Sequence, residues 1–286
     1  DAKRQVFCDY LCELLPLIEK PGQKYPARSK LSQVAADLDY LLPFRQCAPT
    51  MKRAMEVLYS DRDRLRTAQG FANILAFRGI FYGSNFAADD YRYFNSREEW
   101  NDFYDEKESI LGTEEKEEAV KHMAIYGTSN VKRSTSLFDQ YWERSTSEYW
   151  KKTKTVPWEE MIQRDPSPRE LYDWLISPGR FPNIGGLTAL LIVGDLIEAG
   201  AMRETSPDEW GSLVVAVDRG AKKGLKDLKL VDANAPPHTV VQEFKDLDNF
   251  LLERLTSEQR KAMCYNVVML EHGLCKHPRF VKLSTK

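Results

Sequence analysis

Two short glycine-bearing segments carry most of the chemistry legible in this 286-residue chain. The first is Arg180-Phe181-Pro182-Asn183-Ile184-Gly185-Gly186-Leu187-Thr188-Ala189. It lies between a helical segment ending at Ser177-Pro178-Gly179 and an apolar stretch through Ile197. The pattern predicts helix, tight turn, helix. Gly185 and Gly186 let a ligand come close to the backbone, because no Cβ stands in the way. The helix that follows then aims its unpaired amides and the positive end of its dipole at the turn, which suits a phosphate. Such contacts hold a nucleic-acid backbone without reading its sequence. Asn183 stands where such turns usually have glycine, and Asn tolerates the left-handed conformation better than most residues. The alternative is an ordinary helical hairpin whose glycines only permit a sharp turn.

The second segment is Asp218-Arg219-Gly220-Ala221-Lys222-Lys223-Gly224-Leu225, where an apolar run gives way to small and basic residues. It reads as a phosphate- or pyrophosphate-facing turn built on Gly220 and Gly224 with the charges of Arg219, Lys222 and Lys223, or as a solvated basic helix start. No G-x-x-x-x-G-K-S/T string occurs, so the sequence carries no sign of nucleotide-dependent phosphorylation. A third segment, Glu271-His272-Gly273-Leu274-Cys275, suggests an acid–imidazole pair that orients a site. A metal reading would draw on Cys264, His272, Cys275 and His277, whose spacing matches no standard zinc site, so neither metal nor cofactor is expected. Cys275 would act as a nucleophile only beside a positive neighbour.

The elements that position these segments are helices. Capping boxes, in which an N-cap hydroxyl and a Glu or Gln three residues on satisfy free amides, open segments at Ser167, Ser206, Thr239 and Thr256. Proline follows the first two caps, at the position where its missing N–H is no loss. After Thr239, residues Val240, Val241, Phe244, Leu247, Leu251 and Leu255 fall on a three/four spacing over about four turns. Alternating runs and hairpin dipeptides are nearly absent, so the predicted class is all-α. Asp195, on a helix apolar around most of its circumference, requires either a partner or a solvent-facing position.

Charge is unevenly spread. Residues 101–120 hold eight acids against two lysines, while 132–154 carry six bases against three acids, with Phe138, Tyr141, Trp142, Tyr149 and Trp150 interleaved. Residues 217–230 carry five bases against two acids. The formal net charge of −2 is the sum of these opposed stretches, and it does not argue against a nucleic-acid partner. Thirteen Phe, thirteen Tyr and six Trp exclude disorder and supply a core. No apolar run reaches the length of a membrane span. Five cysteines without C-x-x-C spacing favour a reducing, intracellular setting over a disulfide framework. The chain opens on Asp1 without a signal-type stretch, which suggests a trimmed start. A soft boundary is expected near 155, where lysines precede Thr155-Val156-Pro157-Trp158.

Pro182 through Ala189, continuing to Asp195-Leu196, resembles the hairpin of helix–hairpin–helix DNA glycosylases. The segments at 218–225 and 271–275 are more specific. They resemble the Gly-Pro-Gly-Ala-x-x-Gly-Ile/Leu and Glu-His-x-Leu-Cys signatures of the α-glutamyl/putrescinyl thymine pyrophosphorylases. The related helical domain of the 5-hydroxymethyl-deoxyuridine DNA kinases shares these signatures. Phe71-Ala72-Asn73-Ile74-Leu75-Ala76-Phe77-Arg78, with Phe94-Asn95 and Trp100, resembles that group's Phe-Arg and Phe-Asn block more loosely. The resemblance covers about residues 71–280. It implies two helical lobes around a cleft and a glycosylase-like domain over 61–286; residues 1–60, which it does not cover, are expected to be an N-terminal helical extension.

The resemblance further implies action on hypermodified thymine in double-stranded DNA. A flipped 5-hydroxymethyl-uracil derivative would lose pyrophosphate to an amine co-substrate. Asn183, Gly185, Gly186, Thr188, Gly220, Lys222 and Arg78 would then contact DNA. Arg219 and Lys223 would stabilise the departing pyrophosphate, and Asp218, or Glu271 with His272, would take a proton from the amine. Asp218-Arg219 departs from the group's Gly-Pro, which fits either an altered substrate or a domain that binds DNA without the chemistry. A DNA glycosylase proper would place an Asp about twenty residues past the hairpin. Thr205 falls near there, and Asp208, three further on, already has a capping role.

Overall fold

A computed structural model describes residues 1–82, 84, 90, 92–112, 114–115, 134–153 and 155–283. Among the described residues there is helix and no strand, as the scarcity of period-two patterning predicts. The order is α1 (Ala2–Leu14), α2 (Pro16–Glu19), α3 (Lys30–Ala36), α4 (Leu38–Leu41), α5 (Pro49–Val57), α6 (Arg62–Leu65) and α7 (Ala68–Ala76), the last running into a π-helical turn, Phe77–Phe81. Then come α8 (Arg97–Leu111), α9 (Leu137–Ser145), α10 (Ser147–Thr153), α11 (Trp158–Gln163), α12 (Pro168–Ile176) and α13 (Gly186–Glu198). The chain closes with α14 (Pro207–Val217), α15 (Ala221–Asp227), α16 (Pro237–Arg254), α17 (Ser257–Ala262) and α18 (Val267–Val281). None of these helices is long and apolar enough to cross a membrane.

Capping boxes begin α12, α14 and α17 at Ser167, Ser206 and Thr256, as predicted. The fourth is a correction. Pro236 caps α16 and Pro237 starts it, so Thr239 lies inside the helix. Proline at the first position is already set to helical φ, and this lets the helix begin upstream of the hydroxyl.

The chain forms two compact units, residues 53–204 and residues 1–52 with 205–286. The sequence pointed instead to 60/61 and to 155. In the 53–204 unit, aromatic rings make the core. Phe71 stacks on Trp158 at 4.0 Å, and Trp174 and Phe181 pack beside Phe71. Trp100 stacks on Phe138 at 4.2 Å. Asn73 makes a two-way amide pair with Phe94, accepting from its N–H at 2.8 Å and donating to its carbonyl at 2.9 Å. The Phe-Arg and Phe-Asn block is thus largely a folding element. The aromatics interleaved with bases serve the same end: Phe138, Tyr141 and Trp150 are buried. Lys132, Arg133, Lys154 and His122 lie outside the described residues.

In the other unit, α14 packs on α16 and α15 on α18. The N-terminal residues are tied in as well. Arg4 grips Glu243 of α16 with two bonds of 2.9 and 3.1 Å, and Phe7 and Leu11 lie against Gly273 of α18. All five cysteines are free thiols.

Candidate functional site

The hairpin between α12 and α13 forms as the sequence predicts. Asn183 takes the left-handed conformation at φ 61° and Gly179 does so at 71°. Phe181 and Ile184 are buried and anchor the loop, while Asn183 and Gly185 stay exposed. Two α9 side chains hold the loop from below. The Tyr141 hydroxyl donates to the Pro182 carbonyl at 2.9 Å, and Arg144 donates to the carbonyls of Gly179 and Arg180 at 2.8 and 2.9 Å. Arg144, a base of the 132–154 stretch, is thus spent on the loop's own carbonyls.

The two glycines have different reasons. A Cβ on Gly186 would lie 2.7 Å from the Tyr172 hydroxyl, so that side-chain tip would have to shift to admit one. Gly185 has φ −93°, open to any residue, and nothing within 4 Å of where a Cβ would sit. Neither backbone nor neighbour explains glycine at 185, and the space before it is clear. Gly185 is the N-cap of α13 and brings no side chain to cap it. Thr188 lies half-buried in its first turn.

Arg78 is placed differently from the DNA contact that the resemblance implies. Its guanidinium donates to both oxygens of Asp195, at 2.6 and 2.5 Å, and the Tyr59 hydroxyl adds a bond of 2.7 Å to the same carboxylate. The side chains of Arg78 and Asp195 are 1% and 0% exposed. The π-helical turn, closed by the Tyr82 amide on the Phe77 carbonyl at 2.7 Å, aims Arg78 inward, and the Tyr82 ring covers it at 4.2 Å. So Arg78 serves the packing of this unit rather than a phosphate, and Asp195 has its partner. Arg180, which the sequence reading passed over, is a cation within the hairpin itself, set over the ring of Trp174 at 4.8 Å. Burial pulls its pKa below the usual guanidinium value.

In the other unit, the second and third segments, some fifty residues apart in the chain, meet. Gly220, at φ 53°, has Cys275 Sγ 3.1 Å and Glu271 Oε1 3.6 Å from where a Cβ would be. At Gly224 a Cβ would fall 2.2 Å from the Leu274 carbonyl oxygen, so α15 can approach α18 only with glycine there. Glu271, Leu274 and Cys275 share the face toward α15 at helical spacing, whereas His272 is turned about a quarter-circle away. Glu271 and His272 are both buried, 6% and 4% exposed. Burial and the Glu271 carboxylate push the Cys275 thiol up, against the weaker pull of Arg279 and Lys276, which leaves it a poor nucleophile.

Asp218 caps α14 in the left-handed conformation and pairs with Lys222, and that bond to Lys222 holds its carboxyl below the usual range. Arg219 and Lys223 are exposed and have no ion-pair partner among the described residues. Among the described residues no three His, Cys, Asp or Glu gather as a metal site would require. Asp208 pairs with Lys245 at 2.8 Å, a surface role.

Two polar groups next to Cys275 are buried: Lys276, which the sequence gives no reason to single out, and His277, weighed there only as a metal ligand. Lys276 is wholly buried and donates to the carbonyls of Asp39 and Tyr40 at 3.1 and 2.6 Å. Burial, with the nearby Arg279 charge, brings its pKa down to about 7. His277 is held down to about 4 by burial, and its ring meets Tyr10 edge-on at 5.0 Å. The only hint in the sequence is a run of polar residues inside an otherwise apolar helix.

No family model matches the chain, and neither a curated protein nor a solved structure matches it.

Proposed function

We propose that the chain is a DNA-binding, base-modifying protein of the helix–hairpin–helix glycosylase-like kind. It acts on 5-hydroxymethyl-uracil derivatives by letting an amine displace pyrophosphate on a flipped base. The observation that carries the DNA-binding part is the exposed start of α13 at Gly185, an N-cap without a side chain, on a hairpin stapled by Tyr141 and Arg144. A phosphate oxygen there would accept from first-turn amides with the helix dipole behind them. Asn183, Gly186 and Thr188 frame that approach. The chemical part is supported by the meeting of the two signature segments at Gly220, Glu271 and Cys275. Arg219 and Lys223 are free to stabilise a departing pyrophosphate. Asp218, held ionised by Lys222, suits the positioning of a cationic amine better than the removal of its proton.

A non-catalytic DNA-binding module is the second reading, favoured by the burial of Glu271 and His272. Two measurements test these readings. Gly185→Asp supplies an N-cap, so it leaves the protein as stable or a few tenths of a kcal/mol more so. The same carboxylate repels phosphate, so duplex DNA affinity falls about tenfold or more at low salt. Equal DNA affinity in the variant removes the hairpin from the interface. For the chemistry, Arg219→Ala with Lys223→Ala slows pyrophosphate release from pyrophosphorylated hydroxymethyl-uracil DNA by about a hundredfold, as lost electrostatic stabilisation does elsewhere. DNA binding with no pyrophosphate release in the unmodified protein establishes the second reading, and release of free base identifies a glycosylase.

A further inference from the structure

We propose that a cavity of about 390 Å³ in the 53–204 unit binds a small organic cation, an alkylammonium or guanidinium group, between the indole of Trp142 and the carboxylate of Glu159. Thr67, Ala68, Gln69 and Thr146 complete its lining. The volume suits a small ligand, and the chemistry of the wall selects its charge. Glu159 carries the only charge in the lining, and no basic side chain is in ion-pair contact with it among the described residues. Its Oε1 accepts the Ala68 amide at 3.1 Å, which fixes the carboxylate at the start of α7 and leaves Oε2 uncommitted.

Both hydroxyl protons are already spent. Thr67 donates to the Arg64 carbonyl and Thr146 to the Glu143 carbonyl, each at 2.7 Å. The Gln69 amide and the Trp142 indole N–H remain as donors, so what sets the preference is the Glu159 carboxylate, the lining's one charge, together with an indole face steadied by Phe138 at 5.7 Å. A carboxylate and an aromatic face together favour a positive group with N–H donors and disfavour phosphate or carboxylate ligands. The proposal holds whether or not the hairpin binds DNA, because it rests on this cavity alone.

The test follows the Trp142 indole N–H resonance in the full chain, identified by its loss in Trp142→Phe. Methylguanidinium chloride and n-butylammonium chloride are the probes, with sodium chloride at matched ionic strength as the reference. At least one probe gives a saturable shift with a half-point in the millimolar range, as a cation–π contact plus one carboxylate provides. The tighter probe identifies the head group as guanidinium or ammonium. n-Butanol, which has the shape without the charge, gives none. Glu159→Gln keeps an oxygen for the Ala68 amide, so α7 stays capped, and raises the half-point about tenfold. No saturable shift with either probe, an equal response to n-butanol, or an unchanged half-point in Glu159→Gln overturns the proposal.

Discussion

Between about pH 7 and pH 9 the folded protein gains stability as the pH rises, and Lys276→Met abolishes that gain. Lys276 titrates near 7 when folded against 10.5 for an ordinary lysine. Between those values the unfolded chain binds the extra proton, so unfolding becomes harder with rising pH, by at most about 1.4 kcal/mol per unit. The geometry agrees. Lys276 donates to the carbonyls of Asp39 and Tyr40, bonds that a neutral amine can make. Burial is the main cause and Arg279 opposes the charge as well, while Cys275, Asp37 and Asp39 favour it.

Above pH 9 the rise ends, because Cys8, pushed up to about 11 by burial, and the buried Cys275 keep their protons when folded and lose them when unfolded. His277 adds a separate step in the same direction between about pH 4 and its ordinary value of 6.5. Urea titrations across this range in both proteins check the sign. Lys276→Met is the more stable protein in acid, where it carries no buried ammonium, and the less stable near pH 9, where it leaves a carbonyl unsatisfied. Parallel curves would show that Lys276 is not the titrating group.

Breaking the Arg78–Asp195 pair from one side costs about 3–5 kcal/mol, because the remaining charge stays buried without its ionic partner. Asp195→Leu strands the guanidinium and also frees the Tyr59 hydroxyl. Arg78→Met strands the carboxylate, for which Tyr59 is only partial relief. The double variant Arg78→Met/Asp195→Leu recovers much of the loss, since apolar side chains of similar size replace a desolvated pair at little net cost. Denaturant unfolding of the four proteins yields the coupling. Additive losses would mean that the two groups act independently, contrary to bonds of 2.6 and 2.5 Å.

Local chemistry was legible wherever a few consecutive residues decide the outcome. The caps at Ser167, Ser206 and Thr256, the extent of α12 and the left-handed Asn183 all follow from short-range hydrogen bonding and sterics. Thr239 shows the limit even there, since the prolines before it start α16 first. Burial of charge was not legible. Nothing in the surroundings of Arg78 tells an inward guanidinium from an outward one, because that choice depends on Asp195, 117 residues away.

By itself, then, the sequence determined the helical class and the hairpin, because periodicity, capping and glycine are properties of neighbouring residues. Only the tertiary structure decided that Gly220 and Gly224 face Glu271, Leu274 and Cys275, that Arg78 and Asp195 neutralise each other, and that Lys276 is sealed under α4. Those outcomes depend on which groups desolvate one another, a cost that packing sets and chain order does not.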